Sequence, residues 1–352
     1  MVNWITSFLT SRSQRVKIHN SISESKPVLS GIPQGSVLGP LLFVIFINDL
    51  PSVCRDLGNV YLFADDAKMY KCIKSKSDYN MLNKCCKNIF AWSENWLMKL
   101  NISKCKVLTI CSSRGSAVRN DYGFDVPNRG FVPLEHEESI KDLGVLMDCH
   151  FAFDKHICDK ISTANRMLGI LKRNFVDLDK HSFILLYKSM VRSHLEYSAS
   201  LWNPYKQSTI LALEKVQKRA TKAVRVCRDL SYIDRLKLLQ LPSLVYRRHR
   251  GDMIEVYKIL HEFYDSDVVP SLQLCQDTRT RGNSLKLQVH RCKRDIRKYS
   301  FCNRVVSLWN ALPDYVVTSP SLNMFKNNID RHWKHEDFYF DFKARPPSGL
   351  LY

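Results

Sequence analysis

The sequence predicts an α+β fold over its first 150 residues, followed by an almost wholly helical remainder. Through residue 150, short apolar runs alternate with period two and are separated by tight turns, as strands require. Beyond residue 150 the apolar residues recur every three to four positions, as amphipathic helices require. A third observation sets the scale. The chain has 352 residues, 45% hydrophobic and 11% aromatic. That is enough to bury a core, and it excludes global disorder. Its 12 glycines and 13 prolines are scattered, which excludes a fibrous repeat.

In chain order, Trp4, Ile5, Phe8 and Leu9 mark a short amphipathic helix, and Arg15 to His19 alternate as a strand. Gly31 to Ser36 (GIPQGS) form a Gly/Pro-rich loop. A helix follows with Ser36 as its candidate N-cap. Pro40 lies in its first turn, where a missing N–H costs little, and Pro51 ends it. Val60 to Phe63 is a strand, Ala64-Asp65-Asp66 a turn, and Ala67 to Cys72 the returning strand. A helix spans 78–98, and strands span Lys104 to Cys111 and Ile140 to Met147, with a loop or weak hairpin over 112–133. Further helices are expected at 155–173, 181–197, 207–228 and 242–262. Asp265 to Ser284 reads as a polar linker. A small unit follows around Phe301, Val305, Leu308, Trp309 and Phe325, and the Pro/Gly-rich end from Ala344 frays.

Lys plus Arg number 53 against 34 Asp plus Glu, a formal net charge of +19. So large an excess favours a polyanionic partner, and nucleic acid is the expected one. The excess is uneven, with 18 basic and 14 acidic residues through position 150 and 35 and 20 after it. The 12 cysteines contain no CxxC pair, and residues 1–9 carry no basic stretch, so the thiols are expected to be reduced and mostly buried. His150 and His156 stand near Cys149 and Cys158, but their spacing fits no standard zinc finger. The longest apolar run, Leu41 to Ile47, is far short of the roughly 20 residues of a membrane span and reads as a buried helix.

Asp65 and Asp66 stand side by side at a hairpin tip. Adjacent like charges are costly unless a cation joins them, and Mg²⁺ binds through one or two carboxylates plus substrate phosphates. That makes the tip a candidate metal site for nucleotidyl transfer. Asp is also favoured in ordinary turns, so the hairpin alone reads equally as a structural turn. The GIPQGS loop lies about 30 residues upstream. Its glycines permit close backbone approach, Gln34 offers an uncharged amide, and a helix N-terminus follows. Together, in this order, the two elements are far more specific than either alone.

The sequence resembles the reverse transcriptases of non-LTR retrotransposons, in particular the jockey-like elements. The matching stretches are SGIPQGSVLGPLLFVIFINDLP at 30–51, YLFADDAKMY at 61–70, WLMKLNISKCKVLTI at 96–110 and KDLGVLMD at 141–148. Downstream, LLYKSMVRSHLEYSASLWNP at 185–204, VQKRATKAV at 216–224 and YSFCNRVVSLWNALP at 299–313 resemble that family's C-terminal region. The resemblance implies a partial right-hand polymerase palm, an antiparallel sheet with helices, over 1–150. It implies a helical thumb-like region over 151–264, a linker over 265–284, a small C-terminal domain over 285–343 and a tail over 344–352.

The resemblance also implies roles. Asp65 and Asp66 would be catalytic and metal-binding, with two Mg²⁺ in a complete enzyme. Gln34, Gly35, Phe63 and Ala64 would lie against the incoming nucleotide and template, with Lys104 near the triphosphate. Leu143, Gly144 and Val145 would form the hairpin that grips the primer end. The implied partners are an RNA template, a DNA primer and deoxynucleoside triphosphates, in the nucleus or cytoplasm and away from membranes. One departure stands out. The family's site needs a further aspartate upstream of the loop, whereas this chain has none before Asp49 and only Glu24 as an earlier acid. Asp49 itself reads as a cap or surface acid. The expectation is a truncated element copy, or a chain begun at an internal methionine, in which binding outlasts catalysis. A maturase-like splicing cofactor shares the palm but fits the C-terminal half less well.

Two further groups invite a nucleic-acid reading. Lys215, Lys218, Lys222 and Arg225 recur at helical spacing opposite Leu213, Val216, Ala220 and Val224, and are expected to track a nucleic-acid backbone. Arg247, Arg248 and Arg250 form a second basic cluster. Trp202, Trp309 and Trp333 could stack on bases, although Trp309 lies among core-like neighbours.

Overall fold

A computed structural model describes residues 1–111, 120–175, 177–275 and 282–347. Parts of the expected loop (112–119), linker (276–281) and tail (348–352) lie outside them. The chain divides into two compact units, Met1–Thr109 with Ser116–Glu137, and Ile110–Gly115 with Glu138–Tyr352. The boundary expected at 150 therefore falls earlier, because the hairpin after Glu138 joins the second unit.

The first unit opens with α1 (Val2–Leu9), which buries no side chain. β1 (Ser13–Gln14), β2 (Lys17–Ile18), β3 (Ser21–Ile22) and β4 (Lys26–Pro27) follow as nested antiparallel pairs, β1 with β4 and β2 with β3. The single strand expected over 15–19 is cut short because His19 turns the chain with φ 52°.

In α2 (Leu38–Ile47) the Ser36 hydroxyl accepts the Gly39 N–H at 3.0 Å and donates to the Pro33 carbonyl at 2.7 Å. The helix N-cap is Val37, one residue later than the expected Ser36, but the Ser36 hydroxyl still satisfies an orphan N–H of the first turn. The reading of 41–47 as buried is corrected: Leu41, Val44 and Ile45 are exposed. The helix is apolar all round, and its packing partners cover only the side that carries Phe43, Phe46 and Ile47.

β5 (Asn59–Phe63) and β6 (Asp66–Tyr70) form an antiparallel hairpin. α3 (Lys76–Asn95) starts at a capping box in which the Ser75 and Asp78 side chains and backbone N–H groups bond reciprocally. β7 (Lys106–Leu108), β8 (Gly123–Val126), β9 (Gly130–Pro133) and β10 (Glu135–Glu137) complete the unit. β8 pairs antiparallel with β9, and β7 parallel with β10. Among the described residues no ladder exceeds two strands, so the expected sheet is present as separate pairs. The core holds Ile47, Leu50, Ile89 and Trp92 around a Cys54–Cys85 disulfide with Cα atoms 5.1 Å apart. This corrects the expectation of reduced thiols for that pair. The partners are 31 residues apart, and only the packing of α3 brings them together. Of the other ten cysteines only Cys86 and Cys227 are buried, so the expectation of mostly buried thiols is corrected too.

In the second unit, β11 (Ser139–Asp142) and β12 (Val145–Asp148) form a hairpin. α4 (Asp154–Asn174) and α5 (Lys180–Leu186) follow, and α5 continues through a π-helical turn into α6 (Ser193–Glu196). Next come α7 (Ala199–Trp202), α8 (Gln207–Thr221), α9 (Tyr232–Leu239) and α10 (Leu244–Leu260). α11 (Asp295–Lys298), α12 (Phe301–Asn310), α13 (Asp314–Val317) and α14 (Leu322–Trp333) close the unit. The helix expected over 207–228 stops at Thr221, and a separate short turn spans Arg225–Cys227.

Leu168, Leu171, Phe183, Leu213 and Leu236 pack between the earlier helices. Tyr257, Trp309, Phe325 and Trp333 join α10 to α12 and α14. The expected linker does not separate two bodies. Its end is docked, with the Asn283 amide donating to the carbonyls of Trp309 and Leu312 at 2.9 Å each.

Candidate active site and nucleic-acid interface

Register builds the hairpin tip. Phe63 pairs with Asp66, which leaves Ala64 and Asp65 as a two-residue turn with Ala64 at φ 51°. Asp66 is thus the first residue of β6 rather than part of the turn. Both carboxylates are exposed. Alternation places Val60, Leu62 and Met69 against the core. The other face is open: Tyr61 and Tyr70 stack there with centroids 5.7 Å apart, and Phe63 is 61% exposed. The platform is therefore buried on one side only, as a two-stranded ladder of period two requires. Among the described residues no cluster of three or more His, Cys, Asp or Glu forms, so the tip offers two carboxylates.

In the GIPQGS loop, Gly31 and Gly35 sit at φ 78° and 79° with no atom within 4 Å of where a Cβ would stand. Backbone conformation, not crowding, demands glycine there. Arg12 donates to the Gly31 carbonyl and ties down the start of the loop. Gln34 is exposed. Lys104 is also exposed, in a short turn spanning Ile102–Lys104 and not in the expected strand. The strand begins at Lys106, whose ammonium pairs with Glu135.

Leu143 and Gly144 form the β11–β12 turn, at φ 42° and 84°. Tyr197 braces it by donating its hydroxyl to the Leu143 carbonyl at 2.7 Å. Leu143 is exposed, whereas Val145 is 3% exposed and belongs to the core. Only the first two of the three expected grip residues therefore reach the surface.

On α8, Lys215 and Lys218 are exposed, and Lys222 caps the helix on the solvent side. Leu213, Val216, Ala220 and Val224 are buried, as their spacing predicts. Arg225 departs from the expected face, because it lies beyond the helix and pairs with Asp177 at 2.8 Å. The second basic cluster is corrected outright. Arg247 grips Glu196 with two bonds of 2.8 and 2.9 Å, Arg248 is buried against Asn203, and Arg250 pairs with Asp330. These cations hold helices together. Trp202, Trp309 and Trp333 are all buried, so none is available to a base.

His150 bonds the Cys111 carbonyl at 3.2 Å. His156 accepts the Leu146 N–H at 3.1 Å, and burial pushes its pKa down to about 4. Neither arrangement is a zinc site. The sequence reading passed over the run from His290 to Lys298, where Arg291, Lys293, Arg294, Arg297 and Lys298 are all exposed. Its signal is a density of charge, with Arg291, Arg294 and Lys298 at helical spacing.

Residues 1–147 match the family model described as reverse transcriptase (RNA-dependent DNA polymerase). The chain is 26% identical over 234 residues to the RNA-directed DNA polymerase from mobile element jockey of Drosophila melanogaster, covering 62% of this chain and 24% of that one. It is 28% identical over 279 residues to the jockey polymerase of Drosophila funebris, covering 74% and 28%. It is also similar, at 25% over 236 residues covering 63% and 25%, to the probable RNA-directed DNA polymerase from transposon X-element of Drosophila melanogaster. The chain thus spans about a quarter of the length of these relatives. No solved structure shows a significant match. Among the described residues no helix is long and apolar enough to cross a membrane. These similarities agree with the resemblance to jockey-like reverse transcriptases that the motifs carry.

Proposed function

From the reverse transcriptase match over residues 1–147, we propose that the chain supplies part of the catalytic centre of an RNA-directed DNA polymerase. Such an enzyme joins deoxynucleoside triphosphates to a DNA primer on an RNA template. The observation that carries the reading is the exposed Asp65–Asp66 pair at the end of a register-fixed hairpin. Two adjacent carboxylates with open surroundings fit Mg²⁺, which is typically held by one or two carboxylates together with substrate phosphates. When bound, the ion offsets charge on the reacting phosphate.

Asp65 and Asp66 would hold it. Gln34 offers an uncharged amide to a base or sugar, and Gly35 leaves its side of the loop open to a ligand. Lys104 offers a point charge to the triphosphate. Phe63 and Ala64 present the surface beside the acids. Leu143 and Gly144 offer a primer contact, and Lys215, Lys218 and Lys222 a nucleic-acid backbone contact. The partners are RNA, DNA and nucleotides, in the nucleus or cytoplasm.

The test is Mn²⁺ titration of the 352-residue chain, read by the electron paramagnetic resonance of free ion. Asp65→Asn with Asp66→Asn should weaken binding at least tenfold, and unchanged binding in the folded double variant would overturn the assignment. A second reading, nucleic-acid binding without catalysis, is favoured by a carboxylate set that stops at two among the described residues.

A further inference from the structure

We propose that the segment from His290 to Tyr299, together with Tyr205, is a separate site for a single-stranded polynucleotide. The inference rests on the nucleic-acid reading of the chain but uses none of its polymerase residues. The segment carries five exposed cations, Arg291, Lys293, Arg294, Arg297 and Lys298, against the single acid Asp295. None of the five pairs with a described carboxylate, in contrast to Arg225, Arg247 and Arg250. Such a density repels itself and attracts a polyanion.

Charge alone would suit any acidic partner; the aromatic groups narrow the choice. Tyr205 and Tyr299 stack in parallel, 1° apart in plane and 4.0 Å between centroids. Lys298 places its ammonium 5.3 Å from the Tyr299 ring centre. Tyr205 is 45% exposed, so the stack is open to solvent beside the cations. Bases extend such a stack only when they are free of their own helix, which selects a single strand over a duplex.

A third observation concerns shape. A cleft of about 400 Å³ opens beside the same segment, lined by His290, Arg297, Ser300 and Asn303 with Leu272 and Val306, and by no carboxylate among the described residues. Apolar walls with neutral polar groups and one cation suit a nucleobase and its phosphate, and the volume lies in the range of small-ligand pockets. By comparison, α8 presents lysines without an aromatic partner, which suits phosphates alone.

The experiment measures fluorescence anisotropy of labelled 20-mers of oligo-U and oligo-dT, and of a 20-base-pair duplex, with the full chain. Arg294→Gln, Arg297→Gln and Lys298→Gln together should weaken both single strands at least tenfold. They should also flatten their log–log salt dependence by about 2, at roughly 0.7 per contact. Tyr205→Leu should weaken single-strand binding about fivefold or more with the slope unchanged. Duplex affinity should hold in both variants, and should fall instead with Lys215→Gln, Lys218→Gln and Lys222→Gln.

Equal binding of the two single strands, or a preference for oligo-U, supports the site. Unchanged single-strand binding in the folded triple variant overturns it. So does an equal loss on the duplex, or displacement by poly-glutamate with no effect of Tyr205→Leu, which would assign the patch to an acidic protein. In the wild-type chain, photocrosslinking with 4-thiouridine oligomers should label Tyr205 or Tyr299, and labelling only elsewhere overturns the proposal. No readout needs a metal or primer extension, so failure of the polymerase reading leaves its own distinct signature.

Discussion

Trp92 donates its indole N–H to the Asp49 carboxylate at 3.0 Å. The bond ties α3 to the end of α2, next to a Trp92 ring that is only 5% exposed. Asp49 is the first aspartate of the chain, and its carboxylate serves packing. Asp49→Ala should lower stability by about 1 kcal/mol, since one partner stays in water. Mn²⁺ affinity should be unchanged, as read by denaturant midpoints beside the metal titration.

The 352-residue polypeptide should show no measurable primer extension on a primed RNA template with Mg²⁺. Among the described residues two carboxylates gather at the hairpin, and electrostatic stabilisation of the transferring group is usually the largest catalytic contribution. Robust extension that Asp65→Ala abolishes would show that another group completes the site.

Duplex binding should depend on salt through α8. Lys215→Gln, Lys218→Gln and Lys222→Gln together should flatten the log–log slope by roughly 2 to 3, at about 0.9 per phosphate. Arg225→Gln should add less, because its guanidinium already meets Asp177 at 2.8 Å. Anisotropy titrations between low and moderate salt decide this, and an unchanged slope would assign the face to solvent.

Asp252 is 2% exposed and receives Arg304 at 2.9 and 3.1 Å and Asn203 at 3.0 Å. Asp252→Ala removes the carboxylate from the largely buried Arg304 guanidinium, which keeps the Tyr299 and Ser200 carbonyls, and should cost about 3 kcal/mol. Removing both partners, as Asp252→Leu with Arg304→Met, should cost less than either single change. Urea midpoints of the three variants test the difference.

Burial pushes His156 and His249 each down from 6.5 to about 4. Their unfolded forms bind protons first, so the stability they contribute is complete above pH 6.5 and is lost as pH falls toward 4. Burial raises the Glu214 carboxyl, which works in the opposite direction. His156→Gln should therefore flatten the fall in stability between pH 7 and about 4.5, measured by urea midpoints at several pH values. Asp148 acts lower down. Burial raises its pKa, but the N–H groups of Ala152, Phe153 and His150 outweigh that and hold it below 3.8, so its contribution disappears only under that value.

Much of the first site was legible because its signals are local. A two-residue turn between apolar alternations places Asp65 and Asp66 at a tip whatever packs beneath it. Positive φ at Gly31 and Gly35, and the bond from the Gly39 N–H to the Ser36 hydroxyl, follow from residue type within a few positions. The buried face of α8 was equally readable from its spacing. These features need only neighbouring residues to specify them.

What depends on distant residues was decided by tertiary structure. Arg247, Arg248 and Arg250 look identical in sequence to a nucleic-acid patch. Their partners, Glu196, Asn203 and Asp330, lie 45 to 80 residues away and turn them inward. Arg225 lost its place on the basic face because α8 ends at Thr221 and Asp177 captures the side chain. Trp202 and Trp333 were indistinguishable from exposed platforms until helices closed over them. The Cys54–Cys85 pairing likewise needed α3 to fold back. Residue type and spacing by themselves determined the α+β start, the helical remainder and the carboxylate tip. Only packing decided which cations and aromatic rings remain free to meet a ligand, because burial and ion pairing depend on partners far away in the chain.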